Sequence, residues 1–302
     1  MRIALDASGT DGAPFVEIDG AVAALRELEE VSITLLGDRE TLRAALAERG
    51  VELSDRLSIH HAPDSIAPGD SPTTAVRKKP DSPIVQGVGL HKAGRVDAFI
   101  SAGNTGAVMA ASHVLLRPLP GVARPSVATT LPTVAAPVVL IDSGTNVDCK
   151  PKHLQQFAHL GAVYARDALG VENPRIGLLN IGEEPEKGDE LALEAHRLLA
   201  QDDALHFIGN VEDRDVIRGV CDVLVADGFT GNVLLKFYES VAQWVVRIVK
   251  QELDAREIEL DYERVFHQLD YSEYGGAPLL GVNGLSIICH GGSSPKAIKN
   301  AI

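Results

Sequence analysis

One pattern, repeated down the whole chain, constrains the fold more than any other feature. A short apolar, β-branched run leads into a turn of glycine and small polar residues, and a helical stretch follows. Residues 2–6 read as a strand before helical 15–29. Residues 31–36 precede a helix capped by Asp38 and ended by Gly50. A further strand at 57–61 leads into a polar, proline-rich stretch, 63–83, which reads as an excursion or lid. The alternation then resumes with strands at 98–101, 138–142, 175–181 and 223–227, followed by helices after Gly106, Pro151, Gly188 and Gly231. Strands that alternate with helices predict a parallel, doubly wound α/β sheet, because a parallel crossover needs a long connection that a helix supplies. We expect one α/β domain over residues 1–302. Aromatic residues make up only 4% of the chain, which fits thin aliphatic layers between sheet and helices.

Ligands in such sheets lie beyond the carboxyl ends of the strands. The residues there are DASGTDGAP (6–14), SAGNTG (101–106), DSGTNVDCKP (142–151), NIGEEPEKG (180–188), GNVEDRD (209–215), DGFTGN (227–232) and HGGSS (290–294). Any one of these serves as an ordinary turn and helix cap. So many at one sheet edge point to an anion site, since glycine lets the backbone approach closely and helix N-termini present unpaired N–H groups. No GxxxxGK[ST], no GxGxxG after the first strand and no GxSxG elbow occurs, so the motifs of P-loop, nicotinamide and serine-hydrolase chemistry are missing. The site suits phosphate without nucleotide machinery.

Charge and cysteine content narrow the classes further. The net charge is −14 with a pI near 5.1, which repels nucleic acid and requires a local basic patch for any acidic partner. Cys149, Cys221 and Cys289 are far apart, without CxxC or zinc-like spacing, so we expect a reducing cytoplasm, no metal and no cofactor. The chain opens on a strand, and it has no long uncharged apolar stretch, so neither a secretory signal nor a membrane span is expected.

DCKPKHLQQFA, GLLNIGEEPEKG, GNVEDRD, DGFTGNVLLK and GGAPLLGVNG, in this order, closely resemble the bacterial phosphate acyltransferases of phospholipid synthesis. The resemblance covers the whole chain. It implies a Rossmann-like α/β/α sandwich of the isocitrate/isopropylmalate dehydrogenase type, with a helical excursion over 231–272, and a homodimer. The implied reaction moves a fatty acyl group from acyl carrier protein to inorganic phosphate, and a membrane glycerol-3-phosphate acyltransferase then uses the acyl phosphate. Ser8 and Thr10 stand where the family pattern has Met and Gly, and Ser143 and Thr145 give DSGTN for a DVGAN-like turn; these add hydroxyls near the anion site. The last helix, KAIKNAI, would be expected to run on past Ile302.

The reaction needs a held phosphate, a stabilised oxyanion and a thiolate leaving group. Phosphate is already ionised near neutrality, so positioning and charge stabilisation should dominate over general base catalysis. Lys187, which the resemblance favours, is the candidate cation over the developing charge. Asn232 can donate to phosphate or to the thioester carbonyl, and Asp227 can orient either one or bond the N–H groups of its own turn. Asn104, Thr105 and Gly106 form a second helix-start cradle, and Asp142, Asn146 and Lys150 a third turn. Asp6, Gly9, Asn180, Gly182, Gly231, His290 and Ser293 complete the set at strand ends. Cys149, beside Lys150 at a helix start, offers a rival covalent route.

The stretch 233–253 carries apolar residues on too many sides for an ordinary surface helix: Val233, Leu234, Phe237, Val241, Trp244, Val245, Ile248 and Val249 recur at helical spacing. Dimer contact, peripheral membrane contact or both would account for it. Basic candidates for the acidic carrier are Arg77, Lys78, Lys79, Arg124, Lys296 and Lys299. The alternatives to the acyl-ACP reading are a phosphotransacetylase-like enzyme using acyl-CoA and a non-catalytic dimeric scaffold for membrane lipid enzymes.

Overall fold

A computed structural model describes residues 1–255 and 271–302. The chain forms a mixed α/β fold whose contacts fall into two compact units, where the sequence reads as one continuous domain. The first unit comprises Met1–Pro125 and Ser272–Ile302, and the second Ser126–Tyr271.

In the first unit the order is β1 (Arg2–Asp6), α1 (Phe15–Glu27), β2 (Ser32–Gly37), α2 (Arg39–Glu48), β3 (Leu57–His61), α3 (Pro72–Lys78), α4 (Pro83–Lys92), β4 (Ala98–Ser101) and α5 (Thr105–Leu115). The unit's strands are paired in the order β3-β2-β1-β4, and then come two C-terminal strands, β11 (Ser286–Ile288) and β10 (Ala277–Leu280). All pairs are parallel except β10 with β11. The period of two along β4 sorts side chains between layers. Ala98 and Ile100 join the core with Ile18, Ala21 and Ala24 of α1 and with Ile298 of the closing helix, α10 (Pro295–Ala301). Phe99 turns the other way, onto Gly87 of α4. The Asp38 cap is as read from the sequence, accepting from the Thr41 N–H at 2.9 Å.

The 63–83 excursion is more ordered than its prolines suggest. It contains α3, and Asn104 Nδ2 donates to the carbonyls of Ala67 and Pro68 (3.1 and 3.2 Å). Lys79 Nζ ties its ends, bonding Asp70 at 2.7 Å.

In the second unit β5 (Ser126–Leu131) pairs antiparallel with β6 (Val138–Ile141). The remaining strands, β7 (Arg175–Leu179), β8 (His206–Val211) and β9 (Val223–Val225), extend a parallel array ordered β6-β9-β7-β8. The helices are α6 (Pro151–Leu169), α7 (Glu190–Ala200), the short α8 (Asp213–Val216) and the long α9 (Gly228–Ala255). Leu234, Leu235 and Tyr238 of α9 pack on a core of Leu131, Val138, Leu140 and Leu224, and the Tyr238 hydroxyl donates to the Pro132 carbonyl at 2.8 Å. Along its outer side Phe229, Val233, Phe237, Trp244 and Ile248 stay exposed, at the helical spacings of four and seven residues. The far part of the expected 231–272 excursion, 256–270, lies outside the described residues. Among the described residues no helix is long and apolar enough to cross a membrane.

Candidate active site

Parallel strands deliver their carboxyl ends to one edge of each unit's sheet. In the second unit, β6, β9 and β7 are consecutive neighbours, spaced by about 4.8 Å. Their following turns, 142–150, 227–230 and 180–188, therefore lie side by side.

Asp142 organises the first of these turns. It is fully buried. Its Oδ1 accepts from the N–H groups of Gly144 (3.0 Å) and Thr145 (2.8 Å) and from the Thr145 hydroxyl. Its Oδ2 accepts from Asn146 N (2.8 Å) and Asn146 Nδ2 (2.6 Å). With both oxygens so engaged, Asp142 and Asn146 shape the loop from within, and they are not placed to hold an anion themselves. The start of α9 sits tightly on this loop. Gly228 N donates to Asn146 O at 2.8 Å, and a β-carbon on Gly231 would overlap the Asp142 carbonyl oxygen. Gly231 is there for close approach.

Asp227 is the cap of α9. Its Oδ1 accepts from Phe229 N and Thr230 N (2.9 and 3.0 Å), and Oδ2 from the Thr230 hydroxyl (2.6 Å). The helix consequently begins at Gly228, earlier than Gly231, and its first N–H groups are already bonded. Asp227 makes no bond to Lys187 or Asn232. Asn232, one turn into the helix, is half-buried over Gly144, where a β-carbon would come within 3.3 Å of its Cγ. Its amide has no hydrogen bond to any described residue.

The third turn holds Lys187. Asn180 Oδ1 accepts from Ile181 N (2.8 Å) and its Nδ2 donates to Lys187 O (3.0 Å), closing the loop across its base. Asn210, which the sequence reading did not single out, donates from Nδ2 to Glu184 O at 2.8 Å and pins the loop's middle. The Lys187 stem passes close to Gly182, and its ammonium is exposed with no partner among the described residues. Lys150 is exposed at the start of α6, where its N–H donates to His153 Nδ1 at 3.1 Å. The Cys149 thiol donates to Asn146 O at 3.2 Å, a bond that belongs to the protonated sulfur. Cys221 and Cys289 are buried, and desolvation pushes both thiols up to about 12.

The first unit has its own cluster. Asp6 is buried and accepts from Ser101 Oγ (2.7 Å), Ser8 Oγ (2.8 Å) and Ser8 N (3.0 Å). Burial raises its pKa, while those bonds oppose the rise. Gly9 packs against the neighbouring 101–106 turn, where a β-carbon would lie 2.6 Å from Gly103 N. Asn104 Oδ1 caps α5 by accepting from Ala107 N (3.0 Å), which leaves the N–H groups of Thr105 and Gly106 facing out of the helix start. The β1 and β11 turns meet through Asp11 N donating to Gly291 O (2.8 Å). His290 is exposed and its Nδ1 accepts from Gly292 N (3.0 Å). Ser293 is buried, and its hydroxyl lacks a partner among the described residues. Glu17, also missed from sequence, lies beneath this cluster. It is buried, accepts from Thr10 N at 2.8 Å, and has its pKa raised by desolvation. Among the described residues no group of three or more His, Cys, Asp or Glu could hold a metal ion.

Comparison with known proteins gives the same assignment as the motifs. A family model described as "Fatty acid synthesis protein" matches residues 1–302. The phosphate acyltransferase of Desulforamulus reducens is 48% identical, covering all of this chain and 92% of its own length. That of Geobacter sulfurreducens is 47% identical, covering all of this chain and 89% of its own. Among solved structures, a phosphotransacetylase from Streptococcus pyogenes overlays with a TM-score of 0.65 at 17% identity, covering all of this chain and 91% of that one. A 4-hydroxythreonine-4-phosphate dehydrogenase from Burkholderia phymatum reaches 0.51 at 18%, again over the whole chain and 93% of its own; at such identity these two overlays bear on fold alone. A match over the full length by both family model and close relatives leaves one reading: the chain belongs to the phosphate acyltransferase family of fatty acid synthesis.

Proposed function

We propose that this enzyme transfers a long-chain fatty acyl group from acyl carrier protein to inorganic phosphate, giving acyl phosphate for a membrane glycerol-3-phosphate acyltransferase. The family supplies the reaction class. The observation that carries the site assignment is the contrast within the second unit's edge. Asp142, Asp227 and Asn180 use their polar atoms inside their own turns, whereas the Lys187 ammonium, whose stem passes Gly182, and the Asn232 amide over Gly144 have no partner among the described residues.

A phosphate oxygen attacks the thioester carbonyl carbon, forming the C–O bond. The C–S bond then breaks, and the thiolate leaves with its electron pair to be protonated by solvent. Lys187 sits over the developing negative charge, and Asn232 donates to the carbonyl oxygen or to phosphate. Asp6, Asp142, Asp227 and Asn180 fix the turns; in the second unit Gly182 and Lys150 serve phosphate, and in the first unit the outward N–H groups of Thr105 and Gly106, with Gly9, His290 and Ser293, offer an anion cradle of their own. The finer fold assignment is the Rossmann-like α/β/α sandwich of the isocitrate/isopropylmalate dehydrogenase type. The exposed stripe on α9 joins two copies into a homodimer, with peripheral contact to the cytoplasmic membrane surface as its second role.

Lys187→Ala and Asn232→Ala test the assignment. Each should fold normally and lose about a hundredfold or more in turnover, the usual cost of one preorganised charge or hydrogen-bond contact. Near-wild-type turnover in a folded Lys187→Ala protein removes its role.

A further inference from the structure

The chain's charge is unevenly distributed. Residues 71–141 contain seven Lys and Arg against two Asp and Glu, a net of +5 in a chain of −14, so the rest of the sequence carries −19. Within that stretch, residues 98–141 contain no acidic residue at all.

All seven of these cations fall within residues 71–125, in the first unit, where α3, α4 and α5 form one layer. Helices α3 and α4 both pack on α5, and α4 also rests on β1, β2 and β4, so the layer's outer side is solvent-facing. One of its two acids, Asp97, is taken by Arg2 at 2.7 Å, and the other, Asp81, accepts from Gln86 at 3.1 Å. Arg77, Lys78, Lys92, Arg95 and Arg117 are exposed and form no ion pair with any described residue. Elsewhere several exposed arginines find carboxylates, as Arg49 meets Asp19, Arg197 meets Glu194, and Arg214 meets Glu212, while Arg56 is taken up by the backbone carbonyls of Leu25, Leu28 and Glu29. Three of the other basic candidates from sequence are ion-paired, Lys79 with Asp70, Lys299 with Glu27 and Lys296 with Glu273. Two exposed aliphatic side chains, Val114 (62%) and Leu119 (40%), accompany the free cations.

We infer that the outer face of α3, α4 and α5 is the docking surface for the acidic protein that presents the acyl thioester; this rests on the acyl-carrier reading above. Unpaired cations on an otherwise acidic molecule focus the field on one face and steer an acidic partner to it, while the rest of the surface repels that partner. Val114 and Leu119 supply a small dry contact of the kind found among the charges of a transient interface. A bilayer is the poorer occupant, because insertion requires a broad apolar or aromatic face. The only aromatic residue in 71–141 is Phe99, which is buried.

The test pairs Arg77→Glu/Lys78→Glu with a neutralising Lys92→Gln/Arg117→Gln variant, none of them in the proposed catalytic set. Both should raise KM for palmitoyl-ACP, the charge reversal by about tenfold or more, with kcat and the phosphate KM unchanged. Turnover of a palmitoyl thioester of N-acetylcysteamine, which lacks the carrier, should not move. The wild-type KM for the carrier substrate should climb with salt, and the variants' should climb less. An unchanged KM for palmitoyl-ACP overturns the inference, as does an equal loss with the small thioester. Loss of sedimentation with anionic phosphatidylglycerol vesicles while carrier affinity is kept makes the face a membrane contact and also overturns it. Surface plasmon resonance on immobilised holo carrier protein separates this inference from the reaction itself. If the wild type makes no acyl phosphate, the proposed function fails. Carrier binding that both variants weaken still upholds the face, and binding that they leave intact refutes it.

Discussion

Asp142→Ala should be the most damaging single change in the second unit, and the structure lets its cost be worked out. The carboxylate is fully buried and receives the N–H groups of Gly144, Thr145 and Asn146, the Asn146 amide and the Thr145 hydroxyl. Hydrogen bonds to a charged acceptor contribute about 1.5–3 kcal/mol each, and each buried N–H left unpaired costs about 1–3 kcal/mol. Three such N–H groups set a scale of roughly 3–9 kcal/mol, reduced because burying the carboxylate carries its own penalty and because water can enter the vacated space. A net loss of about 3–5 kcal/mol follows. Asp142→Asn keeps the shape but replaces one acceptor with a donor facing donors, and should lose about 2 kcal/mol or more. Urea unfolding followed by circular dichroism measures both losses. Turnover should fall in parallel under conditions where the variants stay folded, because Gly228 and Asn232 rest on this loop. If Asp142→Asn lies within about 0.5 kcal/mol of the wild type, as an ordinary surface change would, the view of this residue as the loop's organiser is wrong.

Cys149→Ser should keep most of its activity, because the thiol is engaged with the Asn146 carbonyl and phosphate can attack the thioester directly; an acylated Cys149 trapped on the pathway, with a dead serine variant, contradicts this. Glu17→Gln keeps an acceptor for Thr10 N and removes a carboxylate that burial disfavours. The folded protein holds the Glu17 proton more tightly than the unfolded chain does. Wild-type stability from this group is thus full below the ordinary value of 4.5 and declines as pH rises toward the elevated folded pKa. The variant should therefore gain on the wild type as pH is raised from 4 to 7, and a difference independent of pH refutes the assignment. Trp244→Asp with Ile248→Asp should give monomers by light scattering, whereas a double mutant that stays dimeric places the dimer contact off α9.

Elements with strong apolar runs, such as β1, β4, β6 and β7, and the long α9, were readable from sequence because their burial follows a simple period. Helix α4 was not, since PIVQGVGLHK follows directly on the proline-rich stretch and carries two glycines inside it. Gly87 is there because the Phe99 ring lies against it, a tertiary demand no local rule encodes. Strand β10 was missed for a similar reason: it is a short antiparallel strand whose only guide is its pairing with β11. At the site, the sequence located the polar turns but not the direction in which each side chain points. Asp227 and Asp142 belong to residue types that either bind a ligand or bond their own backbone, and only the coordinates separate the two. Asn210 could have been found from its place in GNVEDRD, beside the loop that carries Lys187.

The central claim is acyl transfer to phosphate from a protein-borne thioester. Incubating the wild-type protein with palmitoyl-ACP and phosphorus-labelled phosphate, then isolating the lipid product, tests it directly. The expected result is labelled palmitoyl phosphate and free carrier thiol in equal amounts, with little product when palmitoyl-CoA or acetyl-CoA replaces the carrier substrate. Labelled product from the CoA thioesters alone, or free carrier thiol released without label in the lipid, contradicts it.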